Sequence, residues 1–191
     1  MTRQVDNMDV YCQSLGYFQK LEKTLAVKLG LSEMKSGIQI IRDNNGWRQN
    51  EKSIKWIWIV TISRSFVGWG GLFSIKFNEH KFREHLNPEE TVQGLFTSGE
   101  EGISQIYRQP FTDATYDVSP FFKLNLFEAN NGIALDGVSY NVKIIAPNVD
   151  AFIQLNNPNT EDWKKWETEL WTLGRKLAKE SNNPEMIQLF E

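Results

Sequence analysis

The chain has 191 residues, 40% hydrophobic and 13% aromatic, and a formal charge of -3 from 21 basic and 24 acidic side chains. These proportions exclude a disordered, collagen-like or membrane-helix chain, and they argue against generic nucleic-acid binding, which needs a concentrated basic surface. A single cysteine, Cys12, leaves no intrachain disulfide and no cysteine-based zinc site.

In chain order, residues 6–29 predict an amphipathic helix, because Met8, Tyr11, Cys12, Leu15, Phe18, Leu21, Leu25 and Leu29 recur at steps of three and four. Gly30 is its expected stop. Ile38 to Arg42 then reads as a strand that turns at Asn45-Gly46, a pair suited to the positive φ angles of a tight hairpin. Ser53 to Ser63 is the strongest strand in the chain. Ile54, Trp56, Trp58, Val60 and Ile62 are assigned to one face, and Ile57 with Ile59 to the other, so a central strand covered on both sides is expected. Gly68-Trp69-Gly70-Gly71 reads as a turn or bulge before a strand from Leu72 to Phe77.

Residues 79–86 read as helical, and Asn87-Pro88-Glu89-Glu90 has the cap, proline and acidic first turn of a further short helix that would bury Val92, Leu95 and Phe96. Short strands follow at 103–108, 121–128, 132–135, 138–146 and 151–155, with Asn131-Gly132 and Asp136-Gly137 as tight turns. A last helix over about 160–181 starts at Thr160, buries Trp163, Trp166, Leu170, Leu173 and Leu177, and stops at Asn182-Asn183-Pro184. The whole predicts an α+β fold in one domain, 1–191. A mainly antiparallel twisted sheet of about seven to nine strands would pack against long N- and C-terminal helices that share one of its faces.

The chemistry of the chain is sparse. His80 and His85, five residues apart on the expected helix, would point about 140° apart and could not readily share a metal. Cys12 lies on an apolar stripe, where a thiol packs as a small hydrophobe. Asn141-Val142-Lys143 after Asp136, with Glu128, only approximates a magnesium-dependent nuclease site, since Asn141 stands where a second carboxylate is needed. No cofactor and no metal are expected.

What remains is aromatic and acidic. Trp69, beside Arg64, is placed at an exposed tip, and the irregular stretch 98–119 interleaves Glu100, Glu101, Asp113 and Asp117 with Phe111 and Tyr116. Trp47 and Trp171 also lack an evident core role. The leading expectation is a non-enzymatic binding protein that recognises another protein through these residues, since interfaces favour aromatic anchors. One alternative is a small-ligand pocket in a curved sheet, lined by Trp58, Phe73, Phe122 and Tyr140. The other is a hydrolase using the carboxylates of 98–119. The absence of a signal-like apolar run at the first residues, of glycosylation sequons and of a membrane-length stretch makes a cytoplasmic location the default, with no membrane partner.

Overall fold

The computed structural model describes residues 7–42, 48–64, 68–82, 84–99, 102–111, 124 and 137–191. The strands expected at 121–128 and 132–135 and both tight turns beside them lie outside the described residues, apart from Leu124 and Gly137. Helix α1 (Asn7–Leu29) leads into β1 (Gly37–Arg42) and the long β2 (Arg48–Arg64). Then come β3 (Gly68–Asn78), β4 (His80–Phe82), β5 (His85–Asn87), β6 (Glu90–Gly99) and β7 (Gly102–Phe111). The chain is completed by β8 (Val138–Ala146), β9 (Val149–Asn156), α2 (Glu161–Ser181) and α3 (Pro184–Phe190).

Among the described residues the main sheet has seven strands in the order β7-β6-β3-β2-β8-β9, with β1 also on β2, and every pairing is antiparallel. Length is what lets β2 organise it. One edge of β2 carries β3, and the other carries β1 on its first half and β8 on its second. Between the halves the register slips at Lys55, a bulge that puts Ile54 on the opposite face from Trp56 and Trp58. The expected single face for Ile54 and the tryptophans is corrected by that one extra residue.

The sequence predicts that the two long helices cover one face of the sheet, but they take opposite faces. Phe18, Leu21 and Leu25 of α1 pack with Ile57, Ile59, Phe73, Ile75 and Phe96. Trp163, Trp166, Leu170 and Leu177 of α2 pack with Trp58, Val60, Leu72, Tyr140 and Val142 on the other side. The reason lies in β2 itself. With alternating positions apolar on both sides, one face left bare would expose a row of isoleucines to water, so each face takes its own helix.

The helices expected over 79–86 and from Asn87 onward are replaced by strands. β4 and β5 form a separate two-stranded sheet in which His80 opposes Asn87, and β6 lies in the main sheet between β3 and β7. Val92, Leu95 and Phe96 have helical spacing, yet Leu95 joins the α2-side core while Val92 and Phe96 join the α1-side core. A strand buried on both faces shows no clean alternation, and the spacing was ambiguous for that reason. Nor does Gly68-Trp69-Gly70-Gly71 turn the chain. It is the first third of β3, paired to Arg64–Thr61 on one edge, while Trp69 to Gly71 also pair with Ser98 to Phe96 on the other.

Two glycines there have a packing reason. Gly71 opposes Phe96 and Gly94 opposes Phe73, and in each pair the ring occupies the space where a glycine Cβ would stand. At the C-terminal end, Pro184 does not merely stop α2. Asn182 takes a left-handed turn (φ 53°), Asn183 accepts from the backbone N–H groups of Glu185 and Met186, and Pro184 opens α3 at the position where its missing N–H is harmless. Phe190 of α3 then folds over Gly174 of α2 and beside Trp171.

Candidate functional site

The ends of β2, β3, β6, β8 and β9 nearest Arg64 meet on the α1 side of the sheet, and a cavity of about 360 Å³ opens there. Period-two alternation explains its chemistry. The α1-facing residues are apolar in the middle of the sheet, at Ile57, Ile59, Phe73 and Ile75, and become polar toward this end, at Thr61, Ser63, Ser139, Asn141 and Gln154. Thr61 opposes Asn141, which in turn opposes Gln154, so three polar side chains lie in one row across β2, β8 and β9.

Two rings close the other side. Tyr17 of α1 meets Trp69 edge-to-face at 5.6 Å between centroids, and the Tyr17 hydroxyl and Ser98 Oγ are hydrogen-bonded at 2.8 Å. Trp69 remains 54% exposed, an unusual state for an indole, and stands at the mouth of the cavity. No described lining residue carries a charge. Ser139 is occupied with Asn156 at 2.8 Å, whereas Asn141 Oδ1 is buried and has no hydrogen-bond partner among the described residues.

Just beyond Asn141 on the same face, Lys143 pairs with Asp150 and lies 3.8 Å from Glu22 of α1. Burial pushes the Glu22 carboxyl above its ordinary value, and Asp150 adds to that rise, while Lys143 pulls the other way. This cluster pins α1 to β8 and borders the neutral recess.

The residues singled out from the sequence fare unevenly. Trp69 lines the recess, held in β3 between Ser63 and Ser98 rather than at a turn tip. Arg64 ends β2 opposite Gly68 and Val138, and Phe111 ends β7 opposite Thr91, but their side chains lie outside the description. Glu100, Glu101, Asp113, Tyr116 and Asp117 lie outside the described residues, as does Phe122. Trp58, Phe73 and Tyr140, expected to line a ligand pocket, are instead wholly buried in the two cores. Asn141, Thr61 and Gln154 were missed. The available signal was the switch from apolar to polar at alternate positions near the ends of three strands, which means nothing until the strands are known to be neighbours.

Among the described residues no group of three or more His, Cys, Asp or Glu side chains could hold a metal ion, and no helix is long and apolar enough to cross a membrane. Compared with known proteins, the chain matches no family model, no curated protein and no solved structure.

Proposed function

We propose that this chain is a binding protein whose recognition centre is the recess beneath Trp69, and that its ligand is a neutral, polyhydroxylated molecule of the sugar class. The observation that carries this reading is the buried Asn141 Oδ1, without a hydrogen-bond partner among the described residues, set in a row of uncharged polar side chains beside two aromatic rings. Leaving a buried acceptor unsatisfied costs about 1–3 kcal/mol, which a ligand hydroxyl would recover. Hydroxyl and amide side chains both donate and accept, and so match a ligand that does the same. The described lining residues carry no charge to neutralise a phosphate or carboxylate, whereas the apolar faces of Trp69 and Tyr17 suit the C–H faces of a pyranose.

The test is ligand-observed NMR with a panel of neutral mono- and oligosaccharides, followed by titration of each hit. Saturable binding that falls about tenfold or more, some 1.4 kcal/mol or greater, in Trp69→Ala supports the reading. A panel without a hit, or hits indifferent to Trp69→Ala, overturns it.

The exposure of Trp69 favours a second reading, in which the same indole anchors a protein partner over the mouth of the recess. Pull-down from the native cell with wild-type and Trp69→Ala protein distinguishes the two, since only the second reading expects a stoichiometric protein lost with the indole.

A further inference from the structure

A second cavity, of about 350 Å³, lies on the other side of β8, against α2 and the end of α3, and its lining carries three charged residues, Glu167, Arg175 and Glu191. Glu167, Trp171 and Arg175 follow one another at four-residue steps and so form a row along α2. A chain of hydrogen bonds locks the first two. Trp171 Nε1 donates to the Tyr140 hydroxyl at 2.8 Å, and that hydroxyl donates to Glu167 Oε1. Because Tyr140 is wholly buried in β8, the indole and the carboxylate are held by the sheet rather than by their own helix. At the other end of the row Arg175 Nε donates to the Phe190 carbonyl at 3.2 Å, and the guanidinium carbon stands 6.0 Å from the Trp171 ring centre.

The recess therefore presents a carboxylate, an aromatic plane and a guanidinium in sequence, with Glu191 adding a second carboxylate. A plain anion would meet repulsion from Glu167 and Glu191, and a plain cation from Arg175, so neither suits the site as a whole. Eight residues of helix separate the backbones of Glu167 and Arg175 by about 12 Å, too far for the adjacent charges of a free α-amino acid to engage both ends squarely. A dipeptide has its ammonium and carboxylate several bonds further apart, with a flat amide between them that can lie on an indole. We propose that this recess binds a small zwitterion with separated charges, of the dipeptide class, its ammonium at Glu167, its amide over Trp171 and its carboxylate at Arg175.

The experiment is calorimetric titration with a panel of dipeptides bearing small, aliphatic and aromatic side chains, each also in N-acetylated and C-amidated form. Expected are saturable binding of at least one free dipeptide and tenfold or greater weakening by either cap. Glu167→Gln, which keeps an acceptor for Tyr140, should erase the penalty for N-acetylation alone, and Arg175→Gln the penalty for C-amidation alone. Trp69→Ala should leave dipeptide binding unchanged, which separates this site from the neutral recess. Absence of binding across the panel, capped forms that bind as well as free ones, or variants that keep both penalties would overturn the proposal.

Discussion

The two faces of the sheet are built from different rings, and the difference follows what each must do with polar atoms. Under α2 and α3 the core is rich in indoles and tyrosine: Trp163 and Trp166 meet edge-to-face at 5.4 Å, Tyr140 meets Trp166 at 5.3 Å, and Trp171 is hydrogen-bonded to Tyr140. Under α1 the core is phenylalanine, isoleucine and leucine with one alanine, rings and chains with nothing to satisfy. Indoles and phenols need partners in fixed directions, so the α2 side is specified by directed bonds as well as by volume. The α1 side is specified by shape and by the Lys143–Asp150–Glu22 cluster up to its polar end, where Asn141 Oδ1 has no partner among the described residues. Among the described residues the Trp171–Tyr140–Glu167 chain is fully bonded, whereas Asn141 Oδ1 beside the recess has no partner, a state shared with Ser74 Oγ and the Gln93 amide inside the α2-side core.

Substitutions can break or sharpen that contrast. Trp163→Ala, at a wholly buried indole in the centre of the α2 side, should destabilise the protein by about 3–5 kcal/mol in urea denaturation. On the α1 side the sensitive feature is a missing atom rather than a large ring. A methyl group at Gly94 would collide with the Tyr107 carbonyl oxygen and the Phe73 ring, so Gly94→Ala should lose about 1–3 kcal/mol by the same measurement. A loss below a few tenths would mean that the ring-over-glycine packing is not tight.

The recess should respond in the opposite sense. Asn141→Leu replaces an orphaned acceptor by hydrocarbon of similar shape, so stability should hold or rise by roughly 1 kcal/mol while binding in the proposed neutral site is lost. A destabilised variant would show that Asn141 serves the fold. The smallest effect concerns pH. Because burial raises the folded-state value of Glu22, the folded protein keeps a proton that the unfolded chain has already released. Stability from this group is therefore lost as pH rises from the ordinary carboxylate value through the raised one, and Glu22→Gln should flatten that slope. Thermal unfolding at a series of acidic to neutral pH values checks it, and an unchanged slope would dissociate Glu22 from the pH response.

Much of the architecture was readable in advance, and the failures share a cause. β8 was expected over the residues it occupies, and α1 and α2 within one residue at an end, because a half-buried element prints its period on the sequence. β6 was not, because both of its faces are buried and its glycine sits under a ring. The site was less legible still. Trp69 was singled out for its setting among glycines, but Thr61, Asn141 and Gln154 are ordinary polar residues on three strands, and Trp171 read only as an indole beside its stripe.

By itself the sequence determined that the chain is α+β and that β2 is the central strand. Those are matters of local period and composition. Tertiary structure alone decided that the helices take opposite faces, that Gly68 to Gly71 extends a strand, and that Asn141 meets Thr61 and Gln154 across neighbouring strands. Strand order is set by which faces must be hidden together, and residues 61, 141 and 154 become neighbours only when that order is fixed.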